Sequence, residues 1–230
     1  MADNREPVAQ ADEWSRFHAD RIKSNYPRWP NEAMLKVLFG GYSRRPVKPQ
    51  PGWRVLDVGC GFGNNLVPFA DLGCQCHGVE IHDEITVLAR DALATRGYKA
   101  EFRTGNNRTV PYPDQSFDLV LSINAIHYEG DEALVLAALR EFRRVLRPGG
   151  LLFLSTAGQE HDIYLRAKPL GKRLYRIQNY DFRDGQQFFF FDNEQDLKNY
   201  CARELEGVET GRVTERLFTM TVDHMIALCR

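Results

Sequence analysis

An apolar run that stops at an acid and then breaks into alternating glycines constrains this chain more than any other feature: Val55-Leu56-Asp57-Val58-Gly59-Cys60-Gly61-Phe62-Gly63-Asn64-Asn65. The run reads as a β-strand, and a helical stretch opens at Asn64, so the glycines form a strand-to-helix turn. Backbone N–H groups at such a turn point outward, and glycine lets the main chain approach a ligand where a Cβ would collide. An alternating rhythm of strands and helices follows. Strands are expected at 53–58, 75–80, 100–104, 117–122 and 150–156, with helices at 64–72, 83–96 and 132–146 between them. Such alternation predicts a parallel sheet covered on both faces. Arg147-Pro148-Gly149-Gly150 is the turn that launches the fifth strand.

The flanks read differently. Residues 12–24 predict a helix carrying Trp14, Phe17 and Ile22 on one side, and the prolines of Asn25-Tyr26-Pro27-Arg28-Trp29-Pro30 make the next stretch irregular. Asn31 is a good N-cap for a helix that ends at Gly40-Gly41. Residues 1–50 are therefore expected to form a helical cap on the substrate side, and 51–230 the α/β domain. Residues 157–187 interrupt that domain with no clear period, as an insertion. The run Phe188 to Phe191 reads as core, and Asp192 as the cap of a helix through 202. The stretches 206–213 and 219–229 predict two final strands.

The charges around the glycine turn select its ligand. The dinucleotide fingerprint spaces its glycines G-x-G-x-x-G and places the helix start on a pyrophosphate. Here the spacing is G-x-G-x-G, and Asp57 lies two residues before Gly59. A carboxylate repels a pyrophosphate but suits a ligand with an ammonium and a sulfonium, which favours S-adenosylmethionine over a nicotinamide cofactor. Glu80, at the end of the second strand, can accept hydrogen bonds from both ribose hydroxyls. A nicotinamide-dependent oxidoreductase and a non-catalytic S-adenosylmethionine-binding protein are the alternatives.

These residues carry a resemblance. Leu56 to Gly63 resembles the first motif of the class I S-adenosylmethionine-dependent methyltransferases, of the type 11-like group, and Gly78-Val79-Glu80 resembles their acidic strand end. Pro111-Tyr112-Pro113-Asp114-Gln115-Ser116-Phe117-Asp118-Leu119-Val120 and Leu146-Arg147-Pro148-Gly149-Gly150 resemble two further segments in the right order. The resemblance covers roughly residues 50–156. It implies a three-layer, doubly wound, mostly parallel sheet of seven strands whose last strand is antiparallel. It also implies that Gly59 and Gly61 face the methionyl portion, that Ile81 packs on the adenine, and that Asn106 or Asn107 accepts from the adenine amino group. Asn124 would lie beside the cofactor's amino and methyl end.

Methyl transfer is an in-line displacement from an excellent leaving group, so alignment can carry much of the rate and no triad is required. His127, just beyond the fourth strand, is the candidate base, either taking a proton from a hydroxyl or positioning it. Tyr26, Trp29, Tyr128 and Tyr164 offer flat faces with polar tips for a substrate wall, and Arg173 belongs to a basic stretch able to meet an anionic group. A net charge of -1 argues against a polynucleotide substrate and leaves a small or medium-sized metabolite, sugar-containing or anionic, as the expected partner. Five cysteines in no metal or redox spacing, together with the polar N-terminus, predict a reduced, cytoplasmic, metal-independent protein with no membrane segment.

Overall fold

The computed structural model describes residues 29–180 and 183–230. The expected helix over 12–24 and Tyr26 lie outside the described residues. Helix α1 (Glu32–Leu38) starts where its sequence says it should: the Asn31 side chain accepts from the Met34 N–H at 2.9 Å. Next come β1 (Arg54–Val58), a 3₁₀ turn running into α2 (Val67–Asp71), β2 (Gln75–Glu80), α3 (Asp83–Ala94) and β3 (Ala100–Thr104). They are followed by β4 (Phe117–Ile123), a 3₁₀ turn at Ile126–Glu129, α4 (Glu132–Val145) and β5 (Leu146–Ala157). The remainder comprises α5 (Asp162–Leu165), β6 (Ala167–Pro169), β7 (Leu174–Ile177), β8 (Gln187–Phe189), α6 (Glu194–Cys201), β9 (Glu209–Arg216) and β10 (Thr221–Cys229).

Seven strands form one sheet in the order β3-β2-β1-β4-β5-β10-β9. The β3-β2-β1-β4-β5 part is parallel throughout, and β10 runs antiparallel to both β5 and β9. The strand order reverses between β1 and β4, and a doubly wound sheet opens a crevice at that point. The central strands are apolar on both sides because helices cover both faces. One face packs Val55, Leu119, Leu121 and Phe153 against Met34, Leu38, Phe69 and Leu93. The other packs Val58, Val120, Leu152 and Leu154 against Val135, Leu139, Phe142, Leu197 and Tyr200.

Two expectations change. The stretch 157–187 supplies β6 and β7 of a separate three-stranded antiparallel sheet, which β8 completes by running on into Phe188 and Phe189, and its strands of three or four residues are too short to show a period. Helix α6 is capped by Asn193, which accepts from the Asp196 N–H, and not by Asp192. Residue 192 instead pairs with Arg173 at 2.8 Å. The four phenylalanines before it are all buried and alternate between two cores. Phe189 and Phe191 join the main core, while Phe188 and Phe190 join a smaller one beneath β6–β8. That alternation is the period of extended chain, and it fastens the small sheet to the large one.

The segment before β4 is held by one arginine. Arg144 of α4 donates to the carbonyls of Val110 and Tyr112 and to the carboxylates of Glu141 and Asp114. Asp118 accepts from the Arg54 N–H at 2.8 Å and pairs with Arg147, so it ties the start of β1 to the start of β5, which opens at Leu146 and takes in the stretch read as a turn. Arg144→Met leaves two carbonyls and a half-buried carboxylate without their donor. It should lower unfolding free energy by about 2–3 kcal/mol, measured by urea denaturation.

Candidate functional site

The parallel strands bring their C-terminal ends to one edge. Val58 runs into Gly59 there, Glu80 closes β2, Asn124 follows β4 and Ala157 closes β5. Because β10 is antiparallel, its beginning lies at the same edge, with His224 opposite Ala157. The glycine turn is tied to the neighbouring strand: the Gly59 and Cys60 N–H groups both donate to the Val79 carbonyl. Gly59 has φ +73°, and a Cβ on it would stand 2.8 Å from the Ala125 Cβ, so only glycine fits.

Glu80 is buried and accepts from the Gly61 N–H at 2.9 Å and the Ile81 N–H at 2.8 Å, one bond to each oxygen. Burial raises its pKa, and the two N–H groups oppose the rise. Each oxygen keeps a second acceptor direction. Ile81 is 47% exposed directly beyond, an apolar face open at the edge of the crevice.

Asp57 is fully buried on β1. Its Oδ2 accepts from the Asn65 amide at 3.3 Å, while its Oδ1 has no hydrogen-bond partner. The carbonyl oxygen of Asn65 in turn accepts from the Asn31 N–H at 2.9 Å, so the cap of α1 is joined to the acid through one side chain. Burial, with the nearby Glu80 charge, pushes the Asp57 pKa up to about 7 against the Asn65 bond. A buried carboxylate with a free oxygen is costly alone and is relieved by a cation. That donor set fits an ammonium-bearing ligand and repels a phosphate.

Asn106 and Asn107 are distinguished by the structure. The Asn106 side chain accepts from the Arg108 N–H at 2.9 Å and so closes its own turn. Asn107 is buried, donates to the Ala125 carbonyl and to Glu129, and leaves its Oδ1 without a partner. Asn124 has φ +54°, a strained value for a residue with a side chain, and its backbone N–H donates to the Ser155 carbonyl.

The expected base sits in a different environment from the one anticipated. His127 is only 4% exposed, with its ring 4.7 Å from Phe188 and 4.8 Å from Tyr128, and its Nδ1 is 3.2 Å from the Thr156 hydroxyl. Burial, then Arg183 and two other histidines, depress its pKa well below the ordinary value. The ring is neutral and packed beneath β8. Tyr128 accepts from Arg183 at 2.8 Å, Tyr164 meets Tyr175 hydroxyl to hydroxyl at 3.0 Å, and Trp29 is 79% exposed. Arg173 is not a vacant anion receptor, because its guanidinium is engaged by Asp192 and Asp196. Cys60 is buried, and burial pushes its thiol pKa up, which suits a packing residue and not a nucleophile.

Sequence reasoning missed three residues at this edge. Asn65 holds Asp57, while His161 and His224 stand with ring centroids 5.4 Å apart beside Asn124. Nothing local marks the histidines. Only the position of β10 beside β5 brings residue 224 next to residue 124.

Strand order and the acid-flanked glycine turn together define a class I, Rossmann-like methyltransferase fold. Residues 56–154 match the sequence model of a family described as methyltransferase domain. It is 30% identical over 117 residues to a ubiquinone biosynthesis O-methyltransferase of Sinorhizobium fredii, covering 50% of this chain and 46% of that one. It is 33% identical over 144 residues to the 27-O-demethylrifamycin SV methyltransferase of Amycolatopsis mediterranei, covering 56% and 50%. The chain thus spans about half the length of the curated relatives it matches. A solved S-adenosylmethionine-dependent methyltransferase from Methanosarcina mazei superposes with a TM-score of 0.67 at 20% identity, over 88% of this chain and 98% of that one, and shares the fold. No helix among the described residues is long and apolar enough to cross a membrane, and no cluster of metal-binding side chains is present among them.

The raised Asp57 pKa has a sign that can be tested. The folded state favours the protonated acid, so its contribution to stability is fully present below about pH 4 and is lost as pH rises through about 7. Asp57→Asn mimics the protonated form. Its melting temperature relative to wild type should therefore rise progressively from pH 4 to pH 7, read by thermal denaturation across that range.

Proposed function

We propose that the chain is an S-adenosylmethionine-dependent methyltransferase acting on a small or medium-sized metabolite, with oxygen as the receiving atom. The observation that carries the cofactor assignment is the buried Asp57 carboxyl with one unpartnered oxygen beside a glycine turn. When bound, the cofactor would supply an electrophilic sulfonium methyl. Asp57 would hold its ammonium end, Gly59 and Gly61 would admit its methionyl portion, and Glu80 would take the ribose hydroxyls. Ile81 would pack on the adenine, with the free Asn107 Oδ1 better placed than Asn106 to accept from its amino group. Asn124 would border the methyl end. The oxygen assignment is supported by the names of the two relatives, both of which methylate oxygen.

The chain's own contribution to such a reaction is position and dryness. The edge is built from strand ends whose directions are fixed by a shared sheet, and a fixed approach converts a bimolecular encounter into an aligned one. Trp29, Tyr128 and Tyr164 remain the proposed substrate wall, with Tyr26 on the same side of the sequence, while His127 acts by packing. The same Asp57 oxygen disfavours the nicotinamide alternative, whose pyrophosphate would be repelled.

Calorimetry with S-adenosylhomocysteine tests the reading. Binding should strengthen between pH 6 and 8 as Asp57 ionises around 7, by up to tenfold per pH unit below that value. Asp57→Asn should weaken binding and remove the pH dependence. Absence of any binding by the wild-type protein would sink the cofactor assignment, and unchanged binding by Asp57→Asn would sink the role given to the acid.

A further inference from the structure

The edge that receives the acceptor carries a histidine pair whose proton positions can be worked out from its neighbours. The Ser155 hydroxyl donates to Asn124 Oδ1 at 3.3 Å, and Asn124 Nδ2 lies 3.2 Å from His224 Nε2. An amide nitrogen only donates, so Nε2 of His224 accepts and its proton sits on Nδ1. The Ile163 backbone N–H donates to His161 Nδ1 at 3.1 Å, which leaves the His161 proton on Nε2. Both rings therefore have their lone pair engaged and an N–H left over. Neither N–H has a hydrogen-bond partner among the described residues, and both rings keep partial exposure.

The surroundings hold the pair neutral. Burial lowers the His161 pKa to about 4 and lowers that of His224. Among the described residues, the charged and titratable groups facing the pair are Asp162, Asp223, Arg183 and His127. Asp223 is engaged by Arg212, Thr214 and the Glu160 N–H, and Asp162 accepts from the Thr221 N–H. Arg183 donates to Tyr128, and His127 is closed in by Phe188 and Thr156.

We propose that His161, oriented by the Ile163 N–H, and His224, oriented by Asn124 and Ser155, form a neutral two-donor seat for the acceptor oxygen, and that the acceptor is a phenol or enol bound as its anion. This rests on the methyltransferase reading and narrows it to a substrate class. Two N–H donors stabilise the deprotonated oxygen over the hydroxyl. Their lone pairs are both engaged, so the pair binds an anion and does not make one. The acceptor must release its proton to water, which a phenol, with a pKa of about 10, or an enol does far more readily than an aliphatic alcohol. The bound oxygen then forms a bond to the methyl carbon as the carbon–sulfur bond breaks, and that electron pair stays on sulfur. His161 and His224 act as binding residues in this step, and Asn124 and Ser155 as positioning residues.

Long-range proton–nitrogen NMR on wild-type protein labelled with ¹⁵N-histidine reads the tautomers directly. The proton should be on Nδ1 of His224 and Nε2 of His161, and the opposite tautomer at either ring overturns the proposal. The second arm titrates 4-nitrophenol by absorbance in the presence of excess protein without cofactor. Its ionisation should shift down by about one pH unit, a tenfold preference for the anion. His161→Phe and His224→Phe should each abolish the shift while leaving calorimetric binding of S-adenosylhomocysteine intact. No shift with wild type, or a shift retained by both variants, overturns the proposal. If wild type shows the phenolate shift but binds no S-adenosylhomocysteine, the donor pair stands and the methyltransferase reading falls.

Discussion

The bonds from Gly59 and Cys60 to the Val79 carbonyl, and from Gly61 to Glu80, are the contacts on which the glycine turn depends. They continue the β1–β2 pairing past the last residue of β1 and turn a floppy glycine stretch into a fixed rim. Without them the turn would hold neither its positive φ angles nor its distance from Asp57. The parallel sheet makes them possible, since neighbouring strands end at the same level only when they run the same way. The helices on the two faces provide most of the burial, but the rim provides the shape.

Asn65 extends that rim into the front of the described chain. One amide accepts from the Asn31 backbone and donates to Asp57, so the first described helix is registered against the acid and not merely laid on an apolar face. The contact is polar and lies close to the crevice, where Met34 and Leu38 supply the apolar packing behind it. On the other flank, Arg173 does comparable work by clasping Asp192 and Asp196, which keeps β7 against the start of α6.

The parts legible in the sequence were those governed by local pattern. Strands at 75–80 and 100–104 fall where alternation and turn residues put them, and Asn31 caps the helix it precedes. The placement of Asp57, Gly59 and Glu80 at one sheet edge could be read because a strand, a tight turn and a second strand end form one local device. Arg173 could not, since a basic run looks the same whether its charges face water or two carboxylates from elsewhere in the chain. His127 looked like a base because its position beyond β4 was visible and the phenylalanine lying on it, sixty residues away, was not. The β6–β8 sheet escaped notice because strands of three residues leave no rhythm to detect.

The placement of β10 between β5 and β9 also governs the order in which the molecule can be assembled. Residues 54–157 already contain five strands that pair with one another, and these include the whole rim. Strand β9 is made after β6–β8 and finds no partner in those five strands, because among the described residues its neighbour in the sheet is the strand that follows it. During synthesis it must wait with an unsatisfied edge until Cys229 has emerged and β10 can slot in. The half of the crevice built on β1, β2 and the glycine turn is thus available early. The half that includes His224 is completed only by a contact across a hundred residues of chain.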